Sequence, residues 1–323
     1  MMLQWFPQSV KKLWFKTSHL CTIGRACLNF AQQRADSHSI PFLLIPGFTR
    51  SFARIIVPVS SPVLTVMMAA VRKAARGVQR DYGELANLQV SQKAPGDYVT
   101  AADRKCDKVL REELGKARPG YTFLTEESGI LKGTDPDHRF IIDPIDGTMN
   151  FMHAVPFFAI TVALERKDEL VAAITYNPVS DEMFLAEKGG GAFLNNKRLR
   201  IAQRRDIHDT LVSYEMPHRG GKDHALSRAE LSVLQGKVVG IRGPGSAALS
   251  LAYVAAGRFD AMVCRNLHSW DIAAGILLVK EAGGFVTDPD SEKNPLETGN
   301  ILAANSDLLP QYRDALKMAR AAG

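Results

Sequence analysis

The chain has 323 residues, 46% of them hydrophobic and 23% charged, with a formal net charge of +6. That make-up belongs to a folded, water-soluble protein of one large or two ordinary domains, and it excludes low-complexity, fibrous and disordered classes. Residues 1–66 carry seven bases and one acid and so account for all of the excess charge, which leaves the body no basic bias to steer it to nucleic acid.

Residues 1–58 are basic, nearly acid-free, and broken by Pro41, Pro46 and Gly47. They read as an extension outside the fold, either a start assigned too far upstream or a transit-type leader, poorly ordered in both cases. Residues 55–71 lack charge, but Pro58 and Pro62 interrupt them and the stretch is short for a bilayer, so no membrane span is expected. Ser61 instead reads as an N-cap with Pro62 as the first helical residue. The helix then runs through Met67, Val71, Ala75 and Val78 at helical spacing.

Extended pieces at 89–92 and 98–100 flank the Pro95-Gly96 turn, and 103–113 has helical spacing. A strand is expected over 157–164, and 171–176 pairs with 182–186 around a turn at 177–181. From about residue 207, strands at 212–214 and 238–241 alternate with helices at 222–234, 246–256 and 271–282. The last helix stops at Gly283-Gly284. Pattern alone gives an α/β chain and leaves one or two subdomains open. The four cysteines, Cys21, Cys27, Cys106 and Cys264, have no metal-type or disulfide-framework spacing, which points to a reducing, cytosol-like compartment.

Three stretches carry chemistry. Residues 140–151, FIIDPIDGTMNF, read as an apolar strand that ends at Asp143, where Pro144 stops the pairing for want of an N–H. Asp146 follows, with Gly147 and Thr148 in a turn. Two carboxylates this close repel unless a cation lies between them, and hard oxygen donors suit magnesium. Backbone N–H groups at such a turn form an anion seat. Upstream, the β-like run Thr122-Phe123-Leu124 leads into Thr125-Glu126-Glu127-Ser128. Downstream, Trp270-Asp271 opens a helix, where Asp271 alone reads as an N-cap. Each has a plain reading as a solvated turn or cap; their order and spacing together do not.

In that order, with Asp97–Asp103, Asn177-Pro178, Gly189–Phe193 and Gly245–Ala248, these motifs resemble the inositol monophosphatase family over residues 60–320. The resemblance implies a five-layered αβαβα sugar-phosphatase fold. A mainly antiparallel sheet would lie in residues 59–206 and a smaller one in residues 207–320. It also implies a lithium-sensitive homodimer that hydrolyses a phosphorylated polyol or sugar with two to three Mg2+ ions; the cysteines make it cytoplasmic, or organellar only if the extension is a genuine transit peptide. On this reading Glu126, Asp143 and the Ile145 carbonyl hold the first ion. Asp143, Asp146 and Asp271 hold the second, and Glu126 reaches a third through water. Thr148 and Glu126 orient the attacking water, Asp103 aims the Thr148 hydroxyl, and the N–H groups of Gly147 and Thr148 receive the phosphate. Asp146, Asp271 and the Gly245-Ser246-Ala247 segment border the substrate. Lys93 stands where the family has a lysine near the outer metal waters.

One departure bears on substrate. Many members carry a glutamate six residues before the tryptophan, where it bonds inositol hydroxyls; here that residue is Cys264, followed by Arg265. A thiol is a poor acceptor for a hydroxyl. Arg265 is then either a surface residue or a partner for a second anionic group. Inositol 1-phosphate leads as substrate, with fructose bisphosphate, 3′-phosphoadenosine 5′-phosphate and histidinol phosphate open. Two rivals remain: an aspartyl-nucleophile phosphatase of the haloacid dehalogenase type, whose D-x-D-G-T has one residue fewer between its acids, and a non-catalytic regulatory protein on the same fold.

Overall fold

Ser61 caps the first helix as its sequence predicts: its hydroxyl accepts the Leu64 N–H at 3.3 Å, and α1 spans Pro62–Gly83. The structure, a computed structural model, describes residues 61–84, 90–94, 97–217 and 224–322, with the side chains of 90–99 and 322 left out. The extension at 1–58 and the Lys93 side chain fall outside these. No described helix is long and apolar enough to cross a membrane.

After α1, the short strands β1 (Val90–Ala94) and β2 (Asp97–Thr100) pair antiparallel and lead into α2 (Ala101–Ala117). The next strands are β3 (Thr122–Thr125), β4 (Gly129–Leu131) and β5 (His138–Asp146). A five-residue helix, α3 (Thr148–Met152), precedes β6 (Ala159–Arg166), β7 (Glu169–Asn177), β8 (Glu182–Glu187), β9 (Gly191–Leu194) and β10 (Lys197–Arg198). These eight strands form one sheet in the order β10-β9-β8-β7-β6-β5-β3-β4, antiparallel except where β3 runs beside β5.

The remainder comprises β11 (Leu211–Tyr214), α4 (His224–Gln235), β12 (Gly240–Arg242), α5 (Ala247–Ala255), β13 (Ala261–Cys264), α6 (Ser269–Glu281), β14 (Phe285–Thr287), α7 (Pro295–Thr298), β15 (Ile301–Ala304) and α8 (Leu308–Ala322). Its five strands form a mixed sheet, β12-β11-β13-β15-β14, parallel around β11 and antiparallel around β15.

Three apolar seams weld five layers. Leu64, Met67 and Val71 of α1 and Leu110 and Leu114 of α2 pack on Phe140, Ile142 and Val162 of the large sheet. The opposite face of that sheet, with Ile141, Ala163 and Ala173, meets Leu249 and Leu251 of α5 and Ile272 and Ile276 of α6, which also cover Met262 and Ile301 of the small sheet. Val212, Val263 and Leu302 on the far face of the small sheet pack on Leu234 of α4 and Tyr312 and Leu316 of α8. Because strand side chains alternate, each sheet presents an apolar set to both sides. Truncating a fully buried leucine such as Leu110 to alanine costs about 2–5 kcal/mol at such positions.

Pro144 departs from expectation. It does not end the strand: β5 continues to Asp146, which pairs with Ala159 beyond a register break after Asp143. A bulge accommodates a residue without an N–H, and it re-aims the side chains around it.

Candidate active site

The parallel pairing of β3 with β5 sets Thr125 opposite Ile142, so Glu126, just past the end of β3, stands beside Asp143 of β5. The Glu126 N–H donates to the Ile142 carbonyl at 3.2 Å and carries the pairing one residue further. Along β5, Phe140 and Ile142 face the outer helices while Ile141 faces the middle layer. Asp143 follows Ile141 and meets α6. The bulge then brings Asp146 to the same region: one oxygen each from Asp143, Asp146 and Asp271 lie within 4.8 Å of one another. Asp143 and Asp146 are buried, at 2% and 7% exposure.

Asp271 is not an N-cap. The helix α6 begins at Ser269 after His268, which makes Asp271 its third residue, with the carboxylate accepting the His268 N–H at 2.7 Å. That bond fixes the side chain at a helix N-terminus, where the dipole favours negative charge.

The electrostatics follow from burial and crowding. Burial, then the charges of Glu126, Asp146 and Asp271, pushes the Asp143 carboxyl well above the usual range. Asp146 is lifted to about 8, first by burial and then by Asp271, against the pull of bonds from Ser246 and Ala248. Asp103 is lifted to about 7 by burial, opposed by Thr100 and assisted by Glu127 and Glu126. Like charges gathered out of water are stabilised by a cation among them. The donors are all carboxylate oxygens, the set that hard divalent ions such as Mg2+ take, so the residues fit the expected metal.

Around this cluster the backbone is tightly held. Asp143 accepts the Ile145 N–H at 2.9 Å, and the Ile145 carbonyl accepts the Thr148 hydroxyl at 3.2 Å, leaving that oxygen a second lone pair. Thr148 also lies 3.4 Å from Asp103. The other Asp103 oxygen accepts the Thr100 N–H at 2.9 Å and the Thr100 hydroxyl, a capping box at the start of α2. Gly147 has φ +94, and a Cβ there would stand 3.0 Å from the Gly245 carbonyl. Gly245 has φ +85, and its Cβ would meet Asn150 at 2.9 Å. The two turns fit only as glycines.

Ser246 and Ala247 stand differently from a simple sugar-facing segment. The Ser246 hydroxyl donates to Asp146 and accepts the Leu249 N–H at 3.3 Å as the cap of α5. The Ala248 N–H donates to the same Asp146 oxygen at 2.8 Å, and Ala247 is 6% exposed. The N-terminus of α5 thus holds Asp146.

Arg265 corrects both of its expected roles. It is neither on the surface nor available to an anionic substrate group. At 6% exposure its Nε donates to Glu230 at 3.0 Å, and its Nη1 to Asp290 at 2.6 Å. Its strand neighbour Val263 faces α8 and Cys264 faces the middle layer, and the charge is neutralised by Glu230 of α4.

Two residues here carried no role in the sequence reading. The Asn150 amide donates to the carbonyls of Phe157, at 2.7 Å, and Pro244, at 2.6 Å, and so staples α3 to the loop before α5. Glu215 follows β11 and accepts the Gly245 N–H at 3.1 Å. Its signal was available: an acid immediately after an apolar strand, as with Glu126.

Fold and site together define a class, a layered α/β phosphoric monoester hydrolase with a metal-type acidic centre. Residues 60–321 match the model of the inositol monophosphatase family, and the chain belongs to that family. It is 51% identical over 257 residues to an inositol-1-monophosphatase of Rhizobium meliloti (strain 1021), a match that covers 80% of this chain and 97% of the relative. It is 40% identical over 260 residues to Nus factor SuhB of Escherichia coli (strain K12), covering 79% of this chain and 97% of that one. The crystal structure of extragenic suppressor protein suhB from Bartonella henselae superimposes with a TM-score of 0.78 at 50% identity, covering 80% of this chain and 99% of the other.

Proposed function

We propose that the chain hydrolyses the phosphate monoester of a small polyol by direct attack of water, with inositol 1-phosphate as substrate. The observation that carries this reading is the convergence of Asp143, Asp146 and Asp271 to within 4.8 Å. Residues 59–206 supply Glu126, Asp143, Asp146 and Thr148, and residues 207–320 supply Asp271. Glu126, Asp143, Asp146, Asp271 and the Ile145 carbonyl would hold two to three Mg2+ ions. When bound, the ions offset phosphate charge and acidify water.

The chain's own residues do the rest. Glu126 and Thr148 orient the attacking water, and Asp103 keeps the Thr148 hydroxyl aimed. Backbone N–H groups of Gly147 and Thr148 receive a phosphate oxygen. Ser246 and the N-terminus of α5 fix Asp146 so that it does not swing away. No step requires a covalent intermediate, and the family membership speaks against an aspartyl-nucleophile phosphatase. The same reading gives a lithium-sensitive homodimer working in the cytoplasm. The name of the Rhizobium relative supports inositol 1-phosphate over fructose bisphosphate, 3′-phosphoadenosine 5′-phosphate and histidinol phosphate.

A phosphate-release screen over these four substrates with magnesium, and with a chelator as control, tests the reading. Turnover greatest on inositol 1-phosphate and abolished by the chelator is expected. The name of the Escherichia coli relative favours a second reading, a regulatory role apart from hydrolysis. Metal binding without turnover on any substrate would select it.

A further inference from the structure

Glu215 stands beside Cys264 as Glu126 stands beside Asp143. Strands β11 and β13 run parallel with Tyr214 opposite Val263, and the Glu215 N–H donates to the Val263 carbonyl at 3.4 Å. Tyr214 and Val263 pack toward α4 and α8, so the next residue on each strand turns to the middle-layer face. Cys264 is buried there among α5 and α6. Glu215 is half-buried there and accepts the Ser250 hydroxyl of α5 at 3.4 Å.

Three observations tie this carboxylate to the acidic centre. It accepts the Gly245 N–H at 3.2 and 3.1 Å on its two oxygens, which places it against the turn that meets Gly147. Its charge is felt at Asp146 and at Cys264, raising both. Its Oε1 also takes the Ser213 and Ser250 hydroxyls at 3.4 Å, whereas among the described residues Gly245 is the one donor to Oε2. A carboxylate has about four lone-pair sites, so Oε2 retains acceptor capacity. A buried thiol at Cys264 offers almost none.

We propose that Glu215 is a specificity-determining residue that accepts hydroxyl groups of the substrate's polyol from the strand next to Cys264, in place of an acceptor that Cys264 does not supply. The inference rests on the polyol-phosphatase reading above. It selects for an alcohol that carries hydroxyls near its phosphate, against phosphate esters of plain alcohols.

The test compares the full chain with magnesium on inositol 1-phosphate and on phenyl phosphate, which has no hydroxyl to donate. Glu215→Gln replaces a charged acceptor by a neutral one, and the kcat/KM ratio between the two substrates should fall about tenfold, mainly through KM for inositol 1-phosphate. Adding Cys264→Glu to that variant should restore the ratio. If Glu215→Gln does not fold, as judged by its melting curve, Glu215→Asp reads the same ratio through a carboxylate withdrawn by one methylene. Equal losses on both substrates, as expected of a residue that only supports the Gly245 turn, would overturn the proposal, as would an unchanged ratio. Wild-type protein that turns over neither ester would remove the phosphatase reading itself, and the inference with it.

Discussion

The Thr148 hydroxyl sits between Asp103, 3.4 Å away, and the Ile145 carbonyl, 3.2 Å away. The hydroxyl donates its single proton to one or the other of these acceptors, which confines it to their side. Asp103 is itself fixed by both donors of Thr100. The Thr148 side chain is thus aimed by a carboxylate that a helix cap holds in place.

Thr148→Val removes the hydroxyl and keeps the shape. It should lower kcat about a hundredfold with KM little changed, because a misoriented reactant costs roughly that much. Thr148→Ser should stay near wild type. Steady-state kinetics on inositol 1-phosphate decide it; a valine variant at wild-type rate removes Thr148 from the mechanism.

Asp143 stands at the centre of the repulsion, raised by burial and by three neighbouring acids. Asp143→Asn should therefore abolish phosphate release at saturating magnesium and also stabilise the metal-free fold. The gain comes from removing a buried carboxyl that its neighbours repel. Denaturant unfolding in chelator measures the second effect, and activity measures the first. A variant that loses stability in chelator contradicts the crowding argument.

The four acids were legible because each follows a local signal: Glu126 and Asp143 end apolar runs, Asp146 precedes a glycine, and Asp271 opens a helix. Their convergence was not legible from periodicity. It depends on the parallel register of β3 with β5 and on the bulge at Pro144, both set by pairing between distant segments. The resemblance supplied what local pattern lacked. Strands β13, β14 and β15 escaped the reading because they are three or four residues long, and β13 and β15 are buried throughout, so no alternation marks them. Arg265 escaped for the opposite reason: a charged residue beside a short strand reads as surface unless its partners, Glu230 and Asp290, are known to meet it.

Removing one partner of that buried pair is costly, because the other charge stays uncompensated. Glu230 is 0% exposed and receives bonds from both Arg265 and the Tyr214 hydroxyl, the latter at 2.7 Å. Glu230→Gln should destabilise the chain by about 3 kcal/mol. KM for inositol 1-phosphate should not change in folded material, since Arg265 serves the fold. A KM rise without loss of stability would return Arg265 to the substrate.

The acidic centre also predicts how magnesium and pH interact. An aspartate in the unfolded chain titrates near 4. In the metal-free fold Asp146 is raised to about 8 and Asp143 is raised well above its ordinary value, both chiefly by burial. A raised value means the folded chain binds the proton more tightly than the unfolded one. The stabilising contribution is then complete below about pH 4 and is lost as pH rises through about 8. In chelator, the melting temperature should fall across that window. A divalent cation takes the place of the protons, so its binding releases them and strengthens with pH. The rise in melting temperature on adding excess magnesium should therefore be larger near pH 8 than near pH 5. Thermal melts with and without magnesium at the two pH values measure it. Equal shifts at both would mean that the ions do not bind at Asp143 and Asp146.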